Sequence, residues 1–192
     1  FGVRPCLWQV KVAQALLKGD HDMLCTAGTG MGKTLGFWIP LLFQQGIQIV
    51  ITPLNILSKQ NAVSLAKAGI QAISISTKTA TTANFTAIHA LQAVPVSPEQ
   101  IMKPNGEFEW LLKDDLFSSW IISIIIDETH CLTDWGEFWP EYKELGCLHY
   151  ILPPAVPIMI TSTPLTKHAL SNAVCLLHMW ADKLTTIWHS MD

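Results

Sequence analysis

A glycine-rich stretch of eight residues constrains the fold more than any other part of this 192-residue chain. It reads Ala27-Gly28-Thr29-Gly30-Met31-Gly32-Lys33-Thr34 and follows a short apolar run at residues 22–26. A long apolar segment begins directly after it, at Leu35. This order predicts a strand, a loop and a helix. The N–H groups of such a loop can surround a polyphosphate at the positive end of the following helix.

The end of the stretch supplies the side chains that phosphate chemistry needs. Lys33 provides a point charge for the β- and γ-phosphates, and Thr34 provides a hydroxyl for Mg²⁺. The usual pattern is G-x-x-x-x-G-K-S/T, and Ala27 stands at its first position here. The dinucleotide fingerprint G-x-G-x-x-G does not fit, because its third glycine would fall on Lys33. A flexible turn with a chance lysine is the simpler alternative. We predict that residues 27–34 bind a nucleotide.

Composition excludes some classes of protein. The formal net charge is −3, so the chain has no basic footprint that would by itself indicate nucleic acid. The apolar runs are far shorter than the roughly 18 residues that a membrane span needs. Five scattered cysteines, without a C-x-x-C pair, are typical of reduced thiols in an intracellular protein and predict no zinc site. We expect neither a membrane span nor a signal peptide. The first residue, Phe1, suggests a fragment.

The hydrophobic pattern predicts strands that alternate with helices. Predicted strands cover 22–26, 47–51, 72–76, 93–96, 120–126, 157–160 and 185–188. Predicted helices cover 5–18, 33–40, 56–68, 87–92, 110–117 and 165–179. This alternation predicts one α/β domain with a mostly parallel sheet and helices on both faces. Ligands of such sheets bind at the carboxyl ends of strands, where the glycine-rich loop, Thr52, Ser97, Asp127 and Thr161 all lie.

Two acidic residues follow the most apolar predicted strand. A carboxylate beside a phosphate loop is where Mg²⁺ needs a ligand, so we assign Asp127 to the metal. Glu128 is then placed to orient and deprotonate the water that attacks the γ-phosphate. The alternative is a solvated acidic pair that caps the next helix.

These acids open a segment that resembles a known family. Asp127-Glu128-Thr129-His130 is similar to the DEAH-type box of superfamily-two helicases, with Thr129 in place of the usual alanine. Residues 131–142 resemble the aromatic-rich loop of RecQ-family DNA helicases, roughly C-I-S-Q-W-G-H-D-F-R-P-E-Y. The matching residues are Trp135, Gly136, Phe138, Pro140, Glu141 and Tyr142. One residue of the family's H-D pair is missing, and Trp139 replaces its arginine.

Other stretches resemble the same family in the same order. Residues 1–9 resemble its adenine-reading segment, which implies that Gln9 contacts adenine. Residues 52–60 resemble S-P-L-x-x-L-M-x-D-Q, residues 96–99 resemble its T-P-E segment, and Thr161-Ser162-Thr163 resembles its T-A-T. The resemblance implies that residues 1–192 are the first RecA-like motor lobe, a P-loop three-layer sandwich. It also implies an ATP-dependent helicase that moves 3′ to 5′.

The resemblance also implies cofactors, partners and residue roles. ATP and Mg²⁺ are the cofactors, single-stranded DNA and duplex junctions are the partners, and a eukaryotic protein would be nuclear. His130 would sense the γ-phosphate side and act in catalysis with Lys33 and Glu128. The second lobe, the zinc-binding region and the winged helix would follow residue 192. The residues implied in DNA binding and coupling are Thr52, Pro53, Ser97, Trp135, Phe138, Thr161 and Thr163.

Arginine content bears on the activity of the chain. Phosphoryl-transfer sites commonly use an arginine finger, worth about 10³–10⁵ in rate. Arg4 is the only arginine, and it lies in the adenine-side segment. We therefore expect residues 1–192 to bind ATP–Mg²⁺ weakly and to hydrolyse it very slowly. Two other interpretations remain: a different P-loop enzyme such as a kinase, and a non-enzymatic helicase remnant that binds a partner. Three features favour the remnant modestly: the altered aromatic-rich loop, the single arginine, and an apolar character, with a mean hydropathy of +0.31, that suggests surface covered by another molecule.

Overall fold

A computed structural model describes residues 1–53, 55–129 and 140–189, without the side chains of residues 55–59 and 140. Its strands are β1 (Asp22–Ala27), β2 (Ile47–Ile51), β3 (Ala93–Val96), β4 (Ile121–Ile126), β5 (Ile158–Ser162) and β6 (Leu184–His189). Its α-helices are α1 (Leu7–Lys18), α2 (Lys33–Trp38), α3 (Asn55–Lys67), α4 (Thr82–Ala87), α5 (Pro98–Ile101), α6 (Glu107–Lys113), α7 (Asp115–Ser119), α8 (Pro140–Glu144), α9 (Leu148–Ile151) and α10 (Lys167–Leu176).

The strands form one sheet in the order β3-β2-β4-β5-β1-β6, and every pair is parallel. The predicted α/β class is confirmed, with a sheet that is parallel throughout rather than mostly so. β4 lies inside the sheet between β2 and β5. Its run of isoleucines is buried on both faces, which is typical of a central parallel strand.

Helices cover both faces of the sheet and bury two separate apolar clusters. On one face, Phe37 of α2 and Leu65 of α3 pack in a cluster with Val50 of β2. On the other face, Phe108 of α6 packs in a cluster with Ile49 of β2. Successive strand residues point to opposite faces, so neighbours in β2 belong to different clusters. The result is a three-layer sandwich. No helix within the described residues is both long enough and apolar enough to cross a membrane.

Three predicted elements differ from the structure. Residues 72–76 make only isolated bridges to β3, at Ala72 and Ile75, and form no strand. The helix predicted over 87–92 is observed as α4, which begins earlier because the Thr81 hydroxyl caps it by accepting from the Asn84 N–H. The helix predicted over 110–117 is two helices, since the Asp114 carboxylate caps the start of α7.

Candidate functional site

The carboxyl edge of the sheet gathers the predicted site residues. The glycine-rich loop follows β1, Thr52 follows β2, Ser97 follows β3 and Asp127 follows β4, while Thr161 lies near the end of β5. β5 separates β1 from β4, so the loop and the acid lie two strand spacings apart, about 10 Å. The edge therefore brings a phosphate-type loop and a carboxylate to either side of one strand.

The loop depends on glycine at two positions. Gly30 and Gly32 have φ angles of +76° and +77°, which side-chain-bearing residues rarely adopt. A Cβ on Gly32 would lie 2.8 Å from Gln9 Nε2, whereas a Cβ on Gly30 would meet no atom within 4 Å. Gly28, the first glycine of the loop, has no positive φ. Thr29 and Gly30 are exposed, so the loop presents its outer turn to solvent.

Lys33 lies inside the loop. Its side chain is buried, and the Nζ donates to the carbonyl oxygens of Ala27 at 3.0 Å and Gly28 at 3.3 Å. The backbone N–H of Met31 also donates to Gly28 O, at 3.3 Å. Thr34, in the first turn of α2, is partly exposed. The Lys33 ammonium is thus held within the loop, and the next residue, Thr34, carries a hydroxyl in the first turn of α2.

Gln9 connects α1 to the same loop. Its Oε1 accepts from the N–H of Cys6 at 2.7 Å, and its Nε2 donates to Gly32 O at 2.8 Å and to Met31 O at 3.4 Å. The side chain is buried, and both ends of its amide are bonded to protein. Gln9 therefore positions the loop in this structure.

A cavity of about 580 Å³ opens beside the loop. The N-terminal segment at residues 1–3 and Gly32, Thr34 and Trp38 contribute to its walls. The buried indole Nε1 of Trp38 has no hydrogen-bond partner among the described residues. No feature of the sequence marked Trp38 as part of a site, because it reads there as one more apolar residue of α2.

Asp127 is a buried carboxylate that β4 and β5 hold in place. Its Oδ1 accepts from Thr161 Oγ1 at 2.5 Å and from the Glu128 N–H at 3.0 Å. Burial raises the pKa of Asp127 above its ordinary value, while the hydrogen bond from Thr161 lowers it. The Lys33 ammonium also lowers this pKa, so the two side chains interact electrostatically across the edge.

The backbone after Asp127 turns sharply. Glu128 has a φ of +55°, a left-handed conformation that is uncommon for a residue other than glycine and that clusters at functional sites. The turn is held on both sides, because the Thr129 N–H donates to Thr161 O at 2.9 Å and Tyr142 Oη donates to Asp127 O at 3.4 Å. The two acids therefore sit on a constrained turn.

The other predicted residues differ in exposure. Thr52, Pro53 and Ser97 are buried, and the hydroxyls of Thr52 and Ser97 find no hydrogen-bond partner among the described residues. Thr163, just beyond β5, is partly exposed. His130, Trp135 and Phe138 lie outside the described residues.

The oxygen atoms at this edge of the sheet are suitable ligands for magnesium. Mg²⁺ prefers oxygen ligands and is commonly bound by one or two protein groups together with phosphates and water. Asp127 supplies a carboxylate and Thr34 a hydroxyl. Within residues 1–53, 55–129 and 140–189, no group of three or more His, Cys, Asp or Glu is placed to hold a metal by itself. A metal here would take its remaining ligands from the nucleotide and from water.

A parallel sheet, a glycine-rich loop ending in Lys33-Thr34, and Asp127-Glu128 at the tip of β4 define a P-loop nucleotide-binding domain. A model of the DEAD/DEAH box helicase family matches residues 7–171. The chain belongs to the DEAD/DEAH box helicase family, which supports its assignment as a helicase ATP-binding domain.

Curated relatives are RecQ-type proteins, which confirms the resemblance predicted above. "ATP-dependent DNA helicase RecQ" of Haemophilus influenzae is 34% identical over 161 residues, covering 81% of this chain and 25% of the relative. "ATP-dependent DNA helicase Q5" of Rattus norvegicus is 29% identical over 179 residues, covering 89% of this chain and 18% of the relative. The chain thus spans a quarter or less of the length of these relatives.

Solved structures share the fold. A DEAD box protein from Methanococcus jannaschii superposes with a TM-score of 0.71 at 20% identity, over 96% of this chain and 49% of that chain. The DUF1998 helicase MrfA, solved bound to DNA, superposes with a TM-score of 0.72 at 16% identity, over 95% of this chain and 25% of that chain. The RecA-like fold of a helicase domain is therefore confirmed.

Proposed function

We propose that residues 1–192 form the ATP-binding lobe of a RecQ-like DNA helicase, the first of two RecA-like motor lobes. One observation carries the proposal: the Lys33 loop and Asp127 lie on one sheet edge on either side of β5, and Thr161 of β5 bonds to Asp127. A lysine and a metal-binding acid must converge in this way to serve one triphosphate. A kinase or another P-loop ATPase would not account for the family match over residues 7–171.

In this proposal the loop residues 27–34 bind the phosphates of ATP. Lys33 exchanges its bonds to Ala27 O and Gly28 O for the β- and γ-phosphates, since both carbonyls are weaker partners than an anion. The cavity beside Gly32 and Thr34 takes the ribose and base. Gln9 exchanges its bond to Gly32 O for a contact with adenine, as the resemblance implies for this residue.

Thr34 and Asp127 hold Mg²⁺, which neutralises the charge that develops on the phosphates. Glu128, on its constrained turn, orients the attacking water and accepts its proton. His130 senses the γ-phosphate side. Thr161, already bonded to Asp127, and Thr163 transmit the state of the nucleotide to the DNA-binding surface.

The DNA-binding surface comprises Thr52, Pro53, Ser97, Trp135 and Phe138. Helicase lobes hold single strands largely by the backbone and by stacking aromatic rings. The relatives' printed names, and the DNA in the MrfA complex, support a nucleic-acid partner. Translocation from 3′ to 5′ and unwinding then require the second lobe, which also supplies the arginine that residues 1–192 lack apart from Arg4.

Nucleotide binding tests the proposal directly. Binding of a fluorescent ATP analogue to residues 1–192 is measured with Mg²⁺ and with EDTA. Lys33→Ala removes the phosphate-facing charge and should weaken binding at least about tenfold. Lys113→Ala is the matched control, because this exposed lysine on α6 pairs with Glu109 at 2.6 Å, and its loss should leave binding unchanged.

Two outcomes would count against the motor lobe. A wild-type chain that binds no nucleotide would contradict the proposal and favour the non-enzymatic remnant. Binding that Lys33→Ala leaves intact would place the nucleotide elsewhere on the domain.

A further inference from the structure

A buried glutamine links the phosphate-loop helix to the centre of the sheet. Gln48 of β2 is fully buried on the face that α2 covers. Its Nε2 donates to the carbonyl oxygen of Phe37 at 2.7 Å and to Ser123 Oγ of β4 at 3.0 Å. One amide group thereby joins α2, β2 and β4. The sequence did not single out this residue, because it stands as one polar position in an apolar run.

The strand register is adjusted to form this contact. Ile47 pairs with Ile121, but Gln48 pairs with Ser123, so the pairing of β2 and β4 skips Ile122. In a regular ladder Gln48 would lie opposite Ile122. The irregularity instead places a hydroxyl beside the amide. Such bulges commonly re-aim a side chain.

The carbonyl that Gln48 contacts lies three residues before Pro40, which has no N–H to donate back to it. Pro40 lies in the short 3₁₀ turn over Ile39–Leu42 that continues α2. A residue at position 40 would donate its N–H to Phe37 O in such a turn, but proline has none. The Gln48 amide supplies a donor to that carbonyl. The far end of α2 is thus fixed to the sheet by a side chain.

We propose that Gln48 is a positioning residue for the magnesium site, an inference that rests on the proposed function. α2 carries Thr34 at its start, and β4 leads directly to Asp127. Phe37 lies about 6 Å along the helix from Lys33, and Ser123 about 13 Å along the strand from Asp127. Gln48 joins these two elements and so sets where the hydroxyl and the carboxylate stand relative to each other.

Gln48 is a poor choice for stability alone. Its Oε1 is buried without a partner among the described residues, which is unfavourable for a polar atom. An apolar side chain of similar size, with Ser123 also made apolar, would avoid that penalty but would remove the bond to Phe37 O. The polar bridge thus leaves one oxygen unpaired and in return aligns α2 with β4.

If Gln48 positions the magnesium site, its removal should reduce the gain in nucleotide affinity that Mg²⁺ provides and leave the affinity without Mg²⁺ unchanged. In the absence of metal, the phosphates of the nucleotide contact the loop and Lys33. Both belong to the continuous β1–α2 segment. Mg²⁺ also requires Asp127 from β4, so its contribution depends on the alignment of two elements. A loss of general stability would instead weaken nucleotide binding with and without metal alike.

The test compares ATP-analogue affinity in Mg²⁺ and in EDTA for the wild type, Gln48→Met and Gln48→Met/Ser123→Ala. We expect the Mg²⁺-dependent gain in affinity to fall about tenfold in both variants, with affinity in EDTA unchanged, as when the support of a metal ligand is removed. Ser123→Ala alone keeps the bond from Gln48 to Phe37 and should lose less than about threefold. Gln48→Asn serves if the methionine variants fail to fold, because its shorter amide cannot reach both partners.

An equal loss in Mg²⁺ and EDTA, or an unchanged Mg²⁺-dependent gain, would overturn the inference. Both results differ from failure of the proposed function, in which the wild type itself shows no nucleotide binding. Thermal unfolding of each variant, recorded in parallel, identifies any variant whose affinity falls because the fold is lost.

Discussion

At the scale of single residues, two structural constraints require glycine at position 32, and one requires it at position 30. Both have a left-handed φ, but only Gly32 has a neighbour, Gln9 Nε2, at 2.8 Å from the position of a Cβ. Gly30→Ala should therefore cost about 1 kcal/mol, the backbone penalty alone. Gly32→Ala should cost about 2 kcal/mol, because moving the Gln9 amide also breaks its hydrogen bond to Gly32 O. Urea unfolding without nucleotide measures both.

A third variant separates the two constraints at Gly32. Adding Gln9→Ala to Gly32→Ala removes the obstructing amide, so this second change should cost less in the Gly32→Ala background than in the wild type. Equal stabilities of Gly30→Ala and Gly32→Ala would show that the contact between Gln9 and the loop does not hold.

Asp127 links stability to pH. Burial raises its pKa, so between its ordinary value of 3.8 and the raised value the folded state holds a proton that the unfolded state has lost. Stability therefore falls as pH rises through this window, and the ionised carboxylate destabilises the fold at neutral pH. Asp127→Asn should stabilise the protein at pH 7 by an amount on the order of 1 kcal/mol, since the amide oxygen can still accept from Thr161 and Glu128.

The advantage of Asp127→Asn should shrink as the pH is lowered through the same window, because the wild-type carboxyl then becomes neutral. Thermal unfolding from pH 4 to pH 8 provides the measurement, with Asp115→Asn, at an exposed position of α7, as the control. A variant that is less stable than the wild type at neutral pH would contradict the expected cost of the buried charge.

The sequence was sufficient to identify site residues that belong to a chemical motif. It was not sufficient to identify residues whose role depends on their contacts in the folded structure. Lys33, Thr34 and Asp127 stood out because a loop pattern and a strand end identify them. Trp38 and Gln48 are part of apolar runs, and their importance comes from a cavity and from a shift of strand register. Neither feature has a signature in a single sequence.

At the scale of elements, Asp22 and His149 hold the opposite edge of the sheet. Asp22 Oδ2 lies 2.9 Å from His149 Nε2, and its Oδ1 accepts from the Ile158 N–H at 2.9 Å. One carboxylate thus joins the starts of β1 and β5 to helix α9. Asp22→Ala leaves a donor and an imidazole without their partner and should cost about 2–3 kcal/mol. Chemical unfolding gives the value.

The location of this pair predicts what Asp22→Ala should leave intact. The pair lies at the amino ends of the strands, a full strand length from the Lys33 loop. The affinity of Asp22→Ala for the ATP analogue should therefore stay within about twofold of the wild-type value. This change is smaller than the loss of one hydrogen bond to the nucleotide would cause. A large loss of affinity would mean that the two edges of the sheet are coupled. His149→Ala, which keeps the bond from Ile158 to Asp22, should be the milder change.

The elements show which patterns are reliable. Strands β2, β4 and β5 are mostly apolar and were predicted close to their observed bounds. The predicted strand at 72–76 is wrong, because these residues flank β3 and pair with it only through isolated bridges at Ala72 and Ile75. The predicted bounds of the helices near α4 and α7 were wrong at their N-caps. Thr81 and Asp114 cap these helices and determine where each begins.

At the scale of the whole molecule, the two edges of the sheet have different characters. The carboxyl edge carries the loop, the acids and the buried hydroxyls. Large apolar side chains are exposed at the starts of strands and in the helices beside them, including Leu116, Trp120, Tyr150 and Trp180. The high hydropathy of the sequence therefore reflects some uncovered surface as well as two apolar clusters. Chemistry is concentrated on one edge, so activity should depend on what reaches that edge.

Hydrolysis is the function that residues 1–192 should perform poorly. The proposed site comprises the Lys33 loop, Asp127 as the metal ligand and Glu128 as the base, but the only arginine of the chain is Arg4, in the exposed N-terminal segment. Without an arginine finger, turnover should lie about 10³–10⁵ below that of a complete phosphoryl-transfer site. Phosphate release under single-turnover conditions, with the ATP analogue shown to be bound, measures this rate.

Single-stranded DNA should not raise the rate, because stimulation requires a second lobe to close on the nucleotide and bring its arginine. Glu128→Gln sets the background, since it keeps the side-chain size and removes the base. Fast, DNA-stimulated turnover by residues 1–192 that Glu128→Gln abolishes would show that one lobe suffices. A rate indistinguishable from that of Glu128→Gln, together with intact ATP binding, is the result expected of a lobe whose catalytic arginine comes from elsewhere.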